Sequence, residues 1–233
     1  MKLDMAGATH EGSARDHNED AIGVDKELPA AVLADGMGGL SRGEVASATV
    51  VRSVLEGLRA GKNARDALLA AHRNILMDSP DSAHRMGSTA VVLTMHEGKL
   101  LAYWVGDSRA YLLRGDSLQL ISRDHSLVQG LIDAGAITEQ EAESHPNRNV
   151  VTRAVGIQES GPPEIDEITV DARPGDRLLI CSDGLHGYLA QGRIVAILRE
   201  HQDNQRAADA LVAATLAETE AGDNVSVICV TVA

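Results

Sequence analysis

Residues 30–36 of the sequence are Ala-Ala-Val-Leu-Ala-Asp-Gly, a short apolar run that ends at a carboxylate followed by a glycine. The run has the length and aliphatic content of a strand that is covered on both faces. Asp35 and Gly36 then stand at the end of that strand, where the chain is expected to turn. The stretch therefore predicts a core strand that delivers an acidic side chain to one edge of a sheet.

The same arrangement occurs three more times along the chain. Asp107, Asp183 and Asp223 each stand beside a glycine and next to an apolar run. Turn formation alone would account for any one of these pairs, because glycine tolerates positive φ and aspartate caps turns. If the strands share sheets, however, the four carboxylates converge at one edge, where they would repel one another unless cations lie between them.

Periodicity along the chain separates strands from helices. Nine runs have strand-like length and composition, at residues 3–9, 30–34, 90–95, 100–105, 110–113, 119–121, 165–170, 177–181 and 225–230. Helical spacing of apolar residues occupies two paired regions, at 51–75 and 194–212. Because strands and helix pairs come in blocks rather than in alternation, the pattern predicts an α+β layered fold with mainly antiparallel sheets.

The sequence also predicts where two helices begin and how the chain is divided into domains. Ser41 with Glu44 is expected to begin the first helix, and Thr138 with Glu141 a second, minor one. No repeat or Pro/Ser-rich segment divides the chain, so residues 1–233 are expected to form a single domain. The polar segment at about 124–149 is interpreted as a flap inserted at the surface.

Composition excludes several classes of function. With 21 Lys and Arg against 34 Asp and Glu, the net charge is −13, which disfavours binding to nucleic acids or anionic membranes. Phe is absent, and one Trp and three Tyr are too few aromatic side chains for a surface on which bases stack.

Cys181 and Cys229 lie in apolar runs and are expected to be buried free thiols. We expect a soluble cytoplasmic protein, because no signal peptide and no apolar stretch of about 18 residues is found.

The acidic residues favour a site for hard metal ions. Oxygen ligands alone select Mg²⁺ or Mn²⁺ over zinc, and the sequence has no His-Glu-x-x-His or Cys-x-x-Cys. Arg15, Glu19 and Asp20 would be surface charge if taken alone. Beside a metal site, an arginine can hold a phosphate with two hydrogen bonds while acidic neighbours complete the metal shell. The glycines at 36–39 lack the Gly-Lys-Ser/Thr ending of a nucleotide-binding loop.

Eight short blocks, in the same order along the chain, resemble the type 2C (PPM) family of metal-dependent Ser/Thr protein phosphatases, in particular its compact bacterial members. The blocks are residues 15–20, 35–39, 87–90, 106–110, 124–126, 153–156, 182–185 and 222–224. The resemblance covers essentially the whole chain. It implies a four-layer α-β-β-α sandwich, in which two mainly antiparallel sheets are flanked by helix pairs and a two-metal centre lies at one end.

The resemblance also implies site residues. The ligands of two Mn²⁺ or Mg²⁺ ions would be Asp35, which bridges them, the carbonyl of Gly36, Asp183 and Asp223 for the first ion, and Glu19 and Asp20 for the second. Asp107 would hold a third, weaker ion, and Arg15 would bind the substrate phosphate. Met37 stands where many eukaryotic members have a proposed general acid, a histidine. The proton donor is therefore left open between a water on the metal, His17 and His125.

The predicted reaction is hydrolysis of phosphoserine or phosphothreonine in proteins by a water that bridges two divalent cations, with Arg15 and Asp35 as catalytic residues. The expected partners of the monomer are phosphoprotein substrates and a bacterial Ser/Thr kinase that the enzyme opposes. Two other functions stay open. One is a catalytically silent module that binds phosphoproteins, which the full set of carboxylates disfavours. The other is a small-molecule phosphatase or another two-metal hydrolase.

Overall fold

The computed structural model describes residues 1–37, 42–79, 86–157, 161–219 and 221–233. Its strands are β1 Leu3–His10, β2 Asp20–Asp25, β3 Ala30–Met37, β4 Gly87–Ser88, β5 Ala90–His96, β6 Lys99–Val105, β7 Arg109–Arg114, β8 Ser117–Leu120, β9 Asp166–Asp171, β10 Arg177–Cys181 and β11 Val225–Val232. Its helices are α1 Gly43–Arg59, α2 Ala64–Asp78, α3 Leu127–Asp133, α4 Glu139–Glu143, α5 Asp183–His186, α6 Gln191–Glu200 and α7 Asn204–Glu218.

The strands form two sheets. One sheet has the order β1-β11-β10-β7-β8, and the other has the order β2-β3-β5-β6-β9, with β4 paired to β3. Every described strand pair is antiparallel. The last strand, β11, therefore pairs with the first, and residues more than 200 positions apart in sequence become neighbours in the sheet.

Alternate residues of the central strands face different layers, which explains why their sequences are apolar throughout. Leu33 of β3 packs with Ile228 of β11 in the core between the sheets. Its neighbour Val32 packs with Leu68 of α2 on the outer face. Leu211 of α7 lies in the cluster that covers the outer face of the other sheet. Each fully buried aliphatic side chain contributes about 1.5–3 kcal/mol, so burial of both sheet faces favours the four-layer α-β-β-α sandwich, as predicted.

All nine predicted strands are present, with bounds that differ by a few residues. Strands β2 and β4 were not predicted. Strand β2 begins and ends with Asp20 and Asp25 and has Gly23 in the middle, and β4 has only two residues. Neither has the apolar run by which the other strands are found in the sequence.

One of the two capping boxes predicted from the sequence is present in the structure. Thr138 and Glu141 form the predicted capping box at the start of α4, where the backbone N–H of Glu141 donates to Thr138 Oγ1 at 3.2 Å. The box predicted for the first helix is not confirmed. Ser41 lies outside the described residues, and the N-cap residue of α1 is Arg42, whose side chain makes no capping hydrogen bond.

The state of the cysteines and the character of the helices can be compared with the expectations from the sequence. Cys181 and Cys229 are free and buried, on the neighbouring strands β10 and β11, as predicted. In the described ranges, none of the helices combines the length and the apolar character that crossing a bilayer requires.

Candidate functional site

Asp35 and Asp20 are direct neighbours at the end of the β2–β3 pair, where the register places them opposite each other. The backbone N–H of Asp35 donates to Thr89 Oγ1 at 3.0 Å, and the N–H of Thr89 donates to the carbonyl of Asp35 at 2.8 Å. Asp35 keeps part of its surface accessible. Its pKa is raised well above the usual range by burial and by the charges of four other aspartates, of which Asp20 and Asp183 act most strongly.

Asp183 is the first residue of α5, directly after the end of β10. Ser182 joins this point to β2 and β11, because its hydroxyl donates to Asp20 Oδ2 at 2.9 Å and accepts from the N–H of Ser226 at 3.0 Å. Burial, with a contribution from the charge of Asp223, raises the pKa of Asp183 to about 6. Burial also raises the pKa of Asp20 to about 7, although its hydrogen bonds to serine oppose this.

Asp107 lies in the turn between β6 and β7 and is buried. Gly106 has φ of +106° and donates its N–H to His125 Nδ1 at 3.1 Å, and the N–H of His125 donates to the carbonyl of Gly106 at 2.9 Å. The Nε2 atom of His186 lies 3.1 Å from the carbonyl oxygen of Asp107. Burial raises the pKa of Asp107 to about 7, and the charge of Asp183 adds to the effect, which places the two carboxylates within electrostatic range of each other.

Asp223 precedes β11 and is paired with Arg15. The guanidinium donates from Nε to Oδ1 at 3.0 Å and from Nη2 to Oδ2 at 2.9 Å. Half of the Arg15 side chain is exposed. The structure thus joins two residues that the sequence assigned to different tasks, metal binding and phosphate binding.

Asn224, which is buried, ties the N-terminal segment to the start of β11. Its Oδ1 accepts from the N–H of Glu19 at 2.8 Å, and its Nδ2 donates to the carbonyls of Glu11 at 2.8 Å and His17 at 3.1 Å. Asn224 was not predicted to contribute to the site, although it directly follows Asp223. Its signal in the sequence is its place in the Gly-Asp-Asn block at 222–224.

Glu19 has a different set of neighbours from the aspartates. A carboxylate oxygen of Glu19, one of Glu44 and a ring nitrogen of His17 lie within 4.8 Å of one another. A Cβ on Gly43 would come within 2.4 Å of Glu19 Oε1. The carboxylate therefore sits at the N terminus of α1, where the helix dipole favours negative charge. Glu44 was not predicted to contribute to the site.

Gly36 and Gly184, which follow Asp35 and Asp183, are required by close approach of the backbone rather than by positive φ. A Cβ on Gly36 would come within 2.1 Å of the carbonyl oxygen of Gly43, at the start of α1. A Cβ on Gly184 would come within 1.9 Å of the carbonyl oxygen of Asn224. The Asp-Gly pairs at 35–36 and 183–184 are therefore points where helices α1 and α5 press against the strand ends.

The chemistry of these side chains fits divalent cations. Asp20, Asp35, Asp107 and Asp183 all have raised pKa values, caused first by burial and then by the negative charge of neighbouring aspartates. Arg15 pairs with Asp223 and only partly offsets the charge at Asp183. Hard cations such as Mg²⁺ and Mn²⁺ prefer carboxylate and carbonyl oxygens and would remove this repulsion.

The two histidines considered as proton donors have different surroundings. His17 is exposed, with its Nε2 3.9 Å from Glu19 Oε1. His125 is buried, and its Nε2 lies 3.4 Å from Asp166 Oδ2 and 3.3 Å from Arg153 Nη1. Burial and the charge of Arg153 lower the pKa of His125. Its two ring nitrogens thus already have protein neighbours, and the ring holds the turn before Asp107.

Comparison with known proteins points to one family. The family model described as "Protein phosphatase 2C" matches residues 6–221. The serine/threonine phosphatase stp of Listeria innocua is 34% identical, over 95% of this chain and 93% of its own length.

Solved structures agree with these sequence matches. The PPM Ser-Thr phosphatase MsPP of Mycobacterium smegmatis, in complex with cacodylate, superposes with a TM-score of 0.90 at 31% identity and covers all of both chains. The catalytic domain of the serine/threonine phosphatase PstP, in complex with two manganese ions, gives a TM-score of 0.83 at 30% identity, over 98% of this chain and 97% of that one.

Proposed function

The chain belongs to the protein phosphatase 2C family and is a serine/threonine protein phosphatase, and from this we propose that it hydrolyses phosphoserine and phosphothreonine by means of two divalent cations bound among its aspartates. The observation that carries the proposal is the convergence of acidic side chains from five separate points of the chain. Strands β2 and β3, the β6–β7 turn, helix α5 and the segment before β11 each contribute one. Asp20 lies opposite Asp35 in the sheet, and the hydroxyl of Ser182, directly before α5, donates to Asp20. The charges of Asp107, Asp183 and Asp223 all add to the raised pKa of Asp35. Such a concentration of charge is unfavourable without cations.

The proposed ligands are Asp35 between the two ions, the carbonyl of Gly36, Asp183 and Asp223 for the first ion, Glu19 and Asp20 for the second, and Asp107 for a third. Asp35 suits the bridging role because four other aspartates act on it and part of its surface is accessible. Asp107 suits a third ion because it lies within electrostatic range of Asp183. Mn²⁺ is the first choice, since a similar phosphatase contains two manganese ions.

Bound there, the two cations would acidify a water that bridges them and offset the charge of the phosphoryl group. The protein contributes the binding and orientation of the phosphate. Arg15 uses Nε and Nη2 to bind Asp223, which leaves the N–H groups of Nη1 available for phosphoryl oxygens. A guanidinium already held by a carboxylate loses less freedom when it binds a phosphate, and its planar fork matches the phosphate geometry.

We also propose an opposing enzyme, a cellular compartment, an oligomeric state and a domain organisation for this phosphatase. Phosphate esters on serine and threonine are made by protein kinases, so we propose that the enzyme opposes a bacterial Ser/Thr kinase. Two free, buried cysteines are consistent with work in the cytoplasm. Few large apolar side chains are exposed among the described residues, which favours a monomer. We also propose that residues 1–233 act as one domain, with residues 124–149 as a flap beside the site.

The decisive experiment measures hydrolysis of p-nitrophenyl phosphate and of a phosphothreonine peptide by purified protein with Mn²⁺ or EDTA. We expect activity that requires Mn²⁺, and a loss of about 100-fold or more in Asp35→Asn, because the bridging carboxylate is neutralised. Asp209→Asn, at an exposed position on α7, is the control and should behave like the wild type. Hydrolysis that survives EDTA, or full activity of Asp35→Asn, would refute the proposal. An inactive wild type that still binds the phosphopeptide would instead support a silent binding module.

A further inference from the structure

A cavity of about 390 Å³ lies at the end of β3 that is far from the acidic site. Its walls come from the segment before β3, the turn between α1 and α2, and strands β5 and β6. Ala30, the first residue of β3, lines the cavity, and the strand reaches Asp35 about 17 Å further on, at the usual rise of a strand. The volume is typical of sites for small molecules, and none of the proposed metal ligands lines it.

The charge of the cavity lining is opposite to that of the protein as a whole. The chain has 34 Asp and Glu against 21 Lys and Arg, yet no carboxylate belongs to the lining. Lys62, in the turn between α1 and α2, lines the cavity and forms no ion pair within the part of the chain that the structure describes. His96 also lines it, but its Nε2 lies 3.8 Å from Glu97 Oε1. Lys62 is therefore the charged group that an occupant would meet.

The hydroxyl of Tyr103 is a second polar group of the cavity. The residue lies on β6, is only 9% exposed and lines the cavity. Within the described ranges its hydroxyl has no hydrogen-bond partner. The hydroxyl is nevertheless accessible, because the fully buried side-chain polar atoms without a partner in those ranges are Ser79 Oγ and Arg177 Nε. Since an unpaired hydroxyl on a largely buried side chain is unfavourable, an acceptor in the cavity would stabilise it.

The N terminus of α2 adds a backbone donor. Ala64 is the first residue of this 15-residue helix, is buried and lines the cavity. No acceptor for its N–H is found among the described residues, and a helix N terminus favours an anion. Asp66, in the same turn, is exposed and is not part of the lining, and its Oδ2 accepts from Asn63 Nδ2 at 2.9 Å.

The charged groups around Tyr103 leave its hydroxyl as a donor. Glu167 lies opposite Tyr103 in the pairing of β6 with β9, and Arg65 Nη2 donates to Glu167 Oε2 at 3.0 Å. Burial raises the pKa of Tyr103, the charge of Glu167 adds to this effect, and the charge of Arg65 opposes it. The hydroxyl therefore keeps its proton, and the one carboxylate that acts on it already has a cationic partner.

The remaining wall is apolar and suits an aromatic ring. Leu58 of α1 and Leu101 of β6 pack against the core cluster that contains Tyr103 and Ala64, and both line the cavity. Met95 of β5 lines it as well. Aromatic rings and thioethers are both favourable neighbours of an aromatic ligand. A ring also loses less freedom on binding than an alkyl chain of similar size, because fewer bonds are immobilised.

We propose that this cavity binds a small aromatic carboxylate. The carboxylate accepts hydrogen bonds from the Lys62 ammonium, the Tyr103 hydroxyl and the N–H of Ala64, and the ring lies against the apolar wall. A fault in packing would account for the volume, but not for an unpaired hydroxyl, a lysine and a helix N terminus that share one cavity without a carboxylate. The site is separate from the proposed catalytic centre and does not depend on the proposed function.

The test measures binding of three probes that share one ring and differ in charge, namely 3-phenylpropionate, 3-phenylpropanol and 3-phenylpropylammonium. Each is titrated into the whole protein with Mg²⁺ and followed by NMR of the backbone amides. We expect a Kd of about 1 mM or tighter for the acid, binding at least about fivefold weaker for the alcohol, and no saturable binding of the amine. The amide shifts should centre on Gly61, Ala64 and Thr94.

Two substitutions test the proposed contacts. Lys62→Gln should weaken binding of the acid about fivefold, the range of an exposed ion pair. Tyr103→Phe should weaken it about three- to fivefold through loss of one hydrogen bond. The matched controls are Lys2→Gln, at an exposed lysine outside the lining, and Tyr188→Phe, at a tyrosine beside Gly222. Both controls should bind the acid like the wild type.

Four results would overturn the site: no saturable binding of the acid, equal affinity for the acid and the alcohol, shifts centred on Gly36 and Asp183, or an unchanged Kd in either Lys62→Gln or Tyr103→Phe. Hydrolysis of p-nitrophenyl phosphate is a separate measurement. Its absence would refute the phosphatase proposal and leave the cavity site untouched, and its presence does not support the cavity site.

Discussion

Arg15 and Asp223 form a two-pronged ion pair, with Nε 3.0 Å from Oδ1 and Nη2 2.9 Å from Oδ2. The pair joins the proposed phosphate-binding residue to a proposed metal ligand. Both oxygens of Asp223 already accept a hydrogen bond from the guanidinium, so a cation that approaches Asp223 meets a positive charge first. The same contact places Arg15 next to a residue that would bind the cation.

Arg15→Ala is expected to have opposite effects on metal binding and on catalysis. Loss of a competing positive charge should tighten Mn²⁺ binding by up to about fivefold, the range of an exposed ion pair. Loss of the phosphate contact should lower kcat/KM about 10- to 100-fold. Isothermal titration with Mn²⁺ and steady-state kinetics measure the two effects. Arg15→Lys is the matched variant, which keeps the charge but loses the fork.

Weaker Mn²⁺ binding in Arg15→Ala would contradict the idea that Arg15 and the cation compete. It would indicate instead that the arginine orients Asp223 for the metal.

Asn224→Ala is expected to loosen the N-terminal segment from β11. The substitution removes three hydrogen bonds, to the N–H of Glu19 and to the carbonyls of Glu11 and His17. At about 1 kcal/mol for each bond, the free energy of unfolding should fall by about 2–3 kcal/mol. Because Glu19 is no longer fixed, Mn²⁺ affinity should fall too. Urea denaturation and Mn²⁺ titration are the measurements.

The control for Asn224 is Asn63→Ala, which removes the N-cap of α2, where Asn63 accepts from the N–H of Asp66. It should cost about 1 kcal/mol and leave Mn²⁺ affinity unchanged. Equal Mn²⁺ affinity of Asn224→Ala and the wild type would show that Asn224 does not position the site.

The contrast between Asp35 and Asn224 shows what the sequence could and could not reveal. Asp35 is found because an apolar strand runs directly into it, and this signal is contained in seven adjacent residues. The role of Asn224 depends on Glu11, His17 and Glu19, which are more than 200 positions away. Such contacts follow from the pairing of β1 with β11, and no local pattern contains that information.

Strand β2 also depends on a contact between segments that are distant in sequence. Gly23 in its middle would normally weaken a strand, but a Cβ there would come within 2.5 Å of Val51 Cγ1 of α1. The glycine is therefore explained by the helix that packs on it, and the helix is not adjacent in sequence. The glycines at 36 and 184 likewise read as turn residues in the sequence, while in the fold they are points of close contact.

Asp176 is expected to contribute stability that depends on pH. It is buried and accepts from Arg114 Nε and Nη2 at 2.8 and 2.7 Å and from the N–H of Arg173 at 2.8 Å. Burial raises its pKa, but these hydrogen bonds outweigh burial and lower the pKa below the usual value. A lowered folded pKa means that the stabilisation is complete above the unfolded pKa of about 3.9 and is lost as pH falls through the folded value.

Asp176→Asn should therefore destabilise the protein by about 2 kcal/mol at pH 7, since it leaves Arg114 without its charged partner. The difference from the wild type should stay constant down to about pH 5 and shrink below about pH 4. Urea denaturation across this range measures it. Asp116→Asn is the control, because the Asp116 side chain is 97% exposed in its pair with Arg199, and it should change stability very little. A difference that grows as the pH falls would contradict the assignment.

Gly184→Ala is expected to damage both the fold and the site, because the added Cβ would lie 1.9 Å from the carbonyl oxygen of Asn224. Backbone cannot move aside as a flexible side chain can, so α5 must shift away from β11 and carry Asp183 with it. Overpacking of this kind costs about 1–3 kcal/mol, and more where a backbone is displaced. Urea denaturation and Mn²⁺ titration should show lower stability and weaker metal binding together.

Gly130→Ala is the matched control within α3, since a Cβ there meets nothing within 4 Å. It should raise stability by up to about 1 kcal/mol, through better helix propensity, and leave Mn²⁺ binding unchanged. If Gly184→Ala behaved like Gly130→Ala, the close contact between α5 and β11 could not be what holds Asp183 in place.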